Sequence, residues 1–373
     1  MKIVCYKLYE SVVRCLRPFK IATGEQDTCR TLLLELVTAE GTRAFGEAVP
    51  IPLLTDETFE GCRETLTEIL LPMLRGRDIW TLRELHREMW RRTRAKSARC
   101  AVDLAIHNLQ ARTLGIPLSR LLGGSGDRFP TNYSIGIEDP ETTQRLAREI
   151  TDAGYQRIKL KVGLDPEADI EMVHKVSQNL PAGVMLRLDA NGGWDRLGAV
   201  RALQAMEKLG CPVELVEQPT PREDFGGLRF VKERTAFPIA ADESVQTIHD
   251  ARQLLTSGAV DILNLKLMKS GGLLPALEIA SLARAFGCRL MVGGMVGESF
   301  LGVGAAAALA SVMQFEYADL DADILLRDTP FENSTPGGAP LFSSPPHRHW
   351  EPHLAAPTPE PRLDLELLEE WGV

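Results

Sequence analysis

The chain has 373 residues, with 44% hydrophobic and 25% charged side chains, which is ordinary for a folded protein and long enough for a barrel with an attached layer. A net charge of −9 and a pI near 5.4 argue against nucleic acid or an anionic membrane surface as partner. The opening MKIVCYKLYE lacks a long apolar core and no stretch approaches about 18 apolar residues, so neither a leader nor a membrane span is expected. Cys5, Cys15, Cys29, Cys62, Cys100, Cys211 and Cys288 are scattered with no CxxC, the pattern of free thiols in a reducing cytoplasm.

Residues 1 to about 50 alternate as strands do, in TLLLELVTAEG and then TRAFGEAVP, with Glu40-Gly41 as the turn of a hairpin or meander. From about 56 to 122 the pattern is helical. ARCAVDLAIHNLQARTLG puts Ala101, Leu104, Ala105, Asn108 and Leu109 on one stripe, closed by Gly115 and Pro117. Small residues on that stripe predict close packing on a neighbour. Gly123-Gly124-Ser125-Gly126 then breaks the chain, which sets the expected domains at 1–125, 126–328 and 329–373.

From about 129 to 325, strand-like runs alternate with amphipathic helices through eight units: TNYSIGI, RIKLKVG, VMLRLDA, VELVEQ, PIAAD, ILNLKL, RLMVGG and FEYADLD. The intervening helices, such as LGAVRALQAMEKLG and LLPALEIASLARAFG, end on Gly. The expected fold is an α/β chain, a (β/α)8-type barrel behind an N-terminal α+β layer. The tail after 330 is rich in Pro, Gly and His, and reads as a return segment packing on the N-terminal layer.

Lys161, Asp189, Glu217, Asp242 and Lys266 recur once per unit, at separations of 28, 28, 25 and 24 residues (189−161, 217−189, 242−217, 266−242). Residues at successive parallel strand ends converge on one face of such a barrel. A lone carboxylate there is as often a helix cap, and DAN, EQP and DES each suit that role. Three of them in apolar surroundings need a counter-charge, and a Mg²⁺ with oxygen ligands supplies it.

Lys159 shares the alternation phase of Lys161, so both face the barrel interior. Lys266 stands four units away, across the mouth. Like charges beside a cation are expected to lower lysine pKa values, making an ammonium a usable base. One amine then removes a proton from one face of a carbon and the other returns it to the opposite face, as a racemase or epimerase requires.

RIKLKVG, LDANGGW, VEQPT, ADES and NLKLMKSGG resemble the enolase superfamily, and within it the muconate lactonizing enzyme subgroup. GEAVP and RCAVDLAIHNLQARTLGIPL are similar to its capping domain, so the likeness runs over about residues 1 to 330. The resemblance implies one Mg²⁺ per subunit, with Mn²⁺ as a substitute, on Asp189, Glu217 and Asp242. It also implies Lys161 and Lys266 as the acid/base pair and Lys159 as a holder of the substrate carboxylate. Asn191 and Glu243 would support the ligands, in a cytoplasmic homo-oligomer. The seven histidines all fall outside the sixth and seventh strands, which disfavours the mandelate racemase branch.

Asp319 and Asp321 in EYADLDADILL share one face and resemble the Asp-x-Asp signature of dipeptide epimerases, where two carboxylates bind the α-ammonium of a peptide. The expected function is Mg²⁺-dependent epimerisation at the C-terminal residue of a dipeptide. The alternatives on the same site are muconate cycloisomerase, o-succinylbenzoate synthase or N-acylamino acid racemase chemistry, whose substrates lack an ammonium.

Two departures stand out. GGMVGES replaces the more usual Met-x-Glu-Ser, so Gly297 is an apparent insertion beside the pocket residues Met295 and Glu298. Gly24 stands about where Ala-Glu epimerases carry an arginine, which weighs against Ala-Glu, while Glu25 and Asp27 suit a cationic side chain. His347-Arg-His349 reads as a surface loop rather than a metal site.

Overall fold

The computed structural model describes residues 1–124, 129–331, 347–348 and 368–371. The alternating N-terminal runs form three antiparallel strands, β1 (Ile3–Ile21), β2 (Gly24–Thr38) and β3 (Arg43–Ala48). Period-two patterning divides their side chains. Leu32, Leu34 and Leu36 enter the core beneath the helices, while Leu33 turns to the other face with Tyr9, Phe45 and Phe331. The turn falls at Glu40-Gly41, where Gly41 adopts φ 84° and donates its N–H to the Thr38 carbonyl at 2.9 Å.

The small-residue stripe does what its composition predicts. The helix Lys96–Leu114 lies so close on β3 that a Cβ at Gly46 would stand 2.0 Å from the Ala101 carbonyl oxygen. Only glycine fits there. The helix closes at Gly115, in the left-handed region at φ 65°.

A two-residue strand, β4 (Phe129–Pro130), precedes the barrel. The barrel strands are β5 (Tyr133–Ile135), β6 (Arg157–Lys161), β7 (Met185–Asp189), β8 (Val213–Glu217), β9 (Ile239–Ala241), β10 (Ile262–Leu265), β11 (Arg289–Gly293) and β12 (Tyr317–Asp319). They form one eight-stranded sheet in chain order, every neighbouring pair parallel. All eight predicted runs are strands. Near the C-terminus, β13 (His347–Arg348) pairs with β4 and β14 (Leu368–Trp371) pairs with β1, with Trp371 opposite Leu8. The expected break at 125–126 and most of the 329–373 segment, including His349, lie outside the described residues.

Capping of the barrel helices falls to Asp139, Asp165, Asp195, Asp224 and Thr247, whose side chains accept from first-turn N–H groups. The strand-end carboxylates Asp189, Glu217 and Asp242 are therefore released from the capping role that their positions also allowed. Among the described residues no helix is long and apolar enough to cross a membrane.

Candidate active site

The C-terminal ends of the barrel strands gather the predicted residues. Lys159 and Lys161 alternate inward along β6, Asp189 and Glu217 end β7 and β8, and Asp242 and Lys266 each follow a strand by one residue. Lys159 is 1% exposed; its Nζ lies 2.9 Å from Asp189 Oδ2, 2.9 Å from Glu217 Oε2 and 2.6 Å from Asp319 Oδ2. Lys161 Nζ is 2.6 Å from Asp189 Oδ2 and donates to Asn191 Oδ1 at 3.2 Å. Lys266 Nζ is 2.8 Å from Asp242 Oδ2. Asn191 in turn donates to Glu243 Oε1 at 2.9 Å.

Among the described residues, no three His, Cys, Asp or Glu side chains already stand as a ready metal cage. Ammonium groups lie against the carboxylates instead. The donor set nonetheless suits a hard cation. Glu217 Oε2 and Asp242 Oδ2 are buried and make no hydrogen bond, facing only ammoniums. The opposite oxygens are fixed: Glu217 Oε1 by Asn264 Nδ2 at 2.8 Å, Asp242 Oδ1 by Lys269, and Asp189 Oδ1 by the Asn191 N–H at 3.0 Å. Carboxylates anchored through one oxygen with the other turned inward make a fitting half-shell for Mg²⁺.

Burial raises the Glu217 carboxyl, and the Asp189 charge adds to it. Burial also lifts Asp189, but Lys159 and Lys161 outweigh it and leave Asp189 low. The expected depression of the lysines is that of ammoniums beside a bound cation; beside the carboxylates alone, Lys159 and Lys266 stand high. Burial pulls both ammoniums down, yet Asp189 beside Lys159 and Asp242 beside Lys266 lift them above the ordinary lysine range.

Asp319 and Asp321 occupy the seam between the eighth strand, β12, and the first, β5. No backbone ladder joins β5 to β12 among the described residues. Side chains close the gap. Asp321 Oδ2 accepts the Ser134 N–H at 2.6 Å, Asp319 Oδ1 accepts from Asn132 Nδ2 at 2.6 Å, and Leu320 N–H reaches Thr131 Oγ1 at 2.8 Å. Below them, Arg187 on β7 donates to Asn132 Oδ1 at 2.9 Å and to the Ala318 carbonyl at 2.7 Å. The Lys159 ammonium holds Asp319 well below the usual carboxylate range despite its burial. Burial and Asp319 together raise Asp321.

A cavity of about 300 Å³ opens over this cluster. Its floor includes Lys159, Lys161, Lys266, Asp319 and Asp321; its roof is the β1–β2 turn, with Phe19, Gly24 and Glu25, and its wall includes Met295. Lys161 Nζ stands 5.9 Å from the Phe19 ring centre, so the hairpin faces the lysine across the cavity. Asp27 does not line the cavity, and neither does Glu298. The placement of Glu298 corrects its expected role in the pocket. Gly297, at φ 108°, packs the loop against Cys29 of β2, and Glu298 folds back to accept the Met295 N–H at 2.8 Å.

Several site residues escaped the sequence reading. Asn264 shares the phase of Lys266 and was legible as an inward position. Asn132 and Arg187 look like ordinary strand polars. Lys269, fully buried against Asp242, lies in the one-turn helix Leu267–Ser270, where strand periodicity carries no signal.

Family models cover both parts of the chain. Residues 7–123 match the model of the mandelate racemase / muconate lactonizing enzyme N-terminal domain, and residues 142–359 that of the enolase C-terminal domain-like family. The chain belongs to the enolase superfamily. It is 34% identical to the L-Ala-D/L-Glu epimerase of Bacillus subtilis, over 92% of this chain and 95% of that one. It is 39% identical to the L-Lys-D/L-Arg epimerase of Methylococcus capsulatus, over 84% of this chain and 88% of its relative. The crystal structure of the Methylococcus capsulatus dipeptide epimerase with Mg and L-Arg-D-Lys superposes with a TM-score of 0.82 at 37% identity, covering 88% of this chain and 93% of the other.

Proposed function

We propose that this chain is a Mg²⁺-dependent dipeptide epimerase that inverts the α-carbon of the C-terminal residue and favours cationic side chains. The observation that carries the reading is the pairing of lysines four strands apart, Lys161 and Lys266, with the Asp319/Asp321 carboxylates on the floor of the same cavity. Asp319 and Asp321 receive the α-ammonium of the dipeptide, a charge-assisted contact that a substrate without an amine cannot make. Lys159, between Asp189 and Asp319, is placed to hold the carboxylate end.

Asp189, Glu217 and Asp242 are the residues that would hold Mg²⁺, which when bound supplies positive charge for the enolate and offsets the carboxylates that raise Lys266. Lys161 and Lys266 exchange the α-proton at opposite faces, one acting as base and the other as acid. Phe19 and the β1–β2 turn cover the reacting carbon and exclude water.

Glu25 is the cavity-lining acid on that turn, with Lys20 as its cross-strand neighbour in the hairpin, and Gly24 beside it adds no further cation. This supports a lysine or arginine side chain in the substrate. The reading includes one Mg²⁺ per chain with Mn²⁺ as a substitute, a cytoplasmic setting consistent with seven free cysteines, and a homo-oligomeric state.

Proton NMR in D₂O with Mg²⁺ and pooled L,L-dipeptides tests it. Loss of the C-terminal α-proton signal with growth of L,D signals, strongest in cationic pools and stopped by EDTA, is the expected result. No exchange in any pool overturns the epimerase reading and turns attention to cycloisomerase and synthase substrates.

A further inference from the structure

A second cavity, about 400 Å³, shares no lining residue with the first. It lies between the capping-domain helix Leu82–Arg92 and the barrel helices Ile248–Thr256 and Leu273–Ala285. Its lining is basic in a chain of net charge −9. Arg83, Arg87, Arg91 and Arg99 enter it, against the single carboxylate Glu278. Glu278 sits 3.8 Å from Arg83, an exposed contact of little strength. Arg87 and Arg91 make no ion pair or side-chain hydrogen bond with the described residues.

Arg99 is the informative residue. It is 1% exposed, yet it forms no ion pair among the described residues. Among the described residues the only hydrogen bond of its guanidinium is from Nε to the Ala95 carbonyl at 3.2 Å, in the preceding turn of its own helix. The guanidinium is stacked over Trp90 at 4.4 Å, which fixes its plane and leaves both terminal nitrogens without acceptors. Burial depresses it to about 10, against the upward pull of the Glu57 and Asp103 charges, neither of which forms an ion pair with it. A buried guanidinium held flat beside an open cavity is costly unless an anion completes it.

We propose that this cleft binds a small organic anion carrying a phosphate group. The planar fork of Arg99, reinforced by Arg87 and Arg91 at the rim, matches a dianionic, bidentate acceptor. Ile248, Leu274, Pro275 and Ile279 give the same cleft an apolar wall, which suits an organic body attached to the phosphate.

Isothermal titration calorimetry on the full Mg²⁺-loaded chain, at low ionic strength, tests this with phenyl phosphate and inorganic phosphate. One saturable site per chain is expected, tighter for phenyl phosphate, weakened at least tenfold in Arg87→Ala and in Arg99→Met, and unaffected by saturating dipeptide. Arg87 is exposed, so its variant reports on binding even if Arg99→Met fails to fold. Absence of saturable binding, binding unchanged in Arg87→Ala, or displacement by dipeptide would each overturn the proposal.

Discussion

Lys159 Nζ lies 2.6 Å from Asp319 Oδ2, so one ion pair links the second and eighth strands of the barrel through its interior. The same ammonium faces Asp189 and Glu217. Lys159→Met removes the common counter-charge of three buried carboxylates. The expected result is a loss of about 3–5 kcal/mol in urea unfolding without Mg²⁺, with no measurable epimerisation. A variant as stable as the parent would show that the carboxylates do not depend on this lysine.

The two-lysine arrangement predicts an asymmetry. Lys161→Ala and Lys266→Ala should each reduce epimerisation by about 10²–10⁴-fold or more. Each should still exchange the α-proton of one epimer in D₂O, and the two variants should exchange opposite epimers. Exchange of the same epimer by both variants contradicts bases on opposite faces.

Glu25 on the hairpin roof is expected to set side-chain preference. Glu25→Gln should lower kcat/KM for lysine- and arginine-containing dipeptides by about tenfold, the worth of one charge-assisted hydrogen bond, with little change for neutral ones. Steady-state kinetics on matched pairs such as Lys- and norleucine-containing substrates measures this. Equal losses on both would assign the loop a purely steric role.

The junction between capping domain and barrel predicts a pH dependence. Glu47 accepts from Ser299 Oγ at 2.6 Å and from the Gly302 N–H at 2.8 Å, while Glu298 Oε2 is buried without a hydrogen bond. A Cβ at Gly302 would stand 2.4 Å from Glu47 Oε1 and 2.5 Å from Glu298 Oε2, so the two carboxyls crowd the same spot. Burial chiefly pushes Glu47 up to about 7 and Glu298 up to about 8. Unfolded, both titrate near about 4.3, so between there and about pH 8 the folded chain retains protons that the unfolded chain releases. Their contribution is whole in acid and is lost as pH rises through those folded values. Glu298→Gln should therefore match the parent's melting temperature near about pH 5 and exceed it by several degrees near about pH 8. An unchanged pH slope in the variant rules the pair out as its source.

Much of the barrel was legible because its strands are short apolar runs, with a charged residue at or just past the C-terminal ends of β6 to β10 and of β12. Asp189, Glu217 and Asp242 were readable by recurrence, and the dedicated caps Asp195, Asp224 and Thr247 explain why they were free for chemistry. Lys269 and Arg187 were not readable, because their meaning comes from partners in other units, Asp242 in one case and Asn132 in the other. The displacement of Glu298 was hidden for a similar reason. Gly297 is visible as a glycine in the loop, but only its packing against Cys29 from the other domain decides which way the loop folds. Periodicity reports which face a side chain takes; it says nothing of the neighbour that waits there.

The clasp at the barrel seam makes the two ends of the pocket unequal in what they tolerate. Asp319 and Asp321 join the first strand to the last and also form the floor that a peptide amine would meet. Changing that end of the pocket to admit a different headgroup would unfasten the ring that supports every other residue of the site. The hairpin turn around Gly24 and Glu25 bears no such duty; a Cβ at Gly24 would touch nothing within 4 Å. A substitution in the hairpin turn is thereby confined to the cover of the pocket, whereas one at Asp319 or Asp321 also loosens the closure of the barrel.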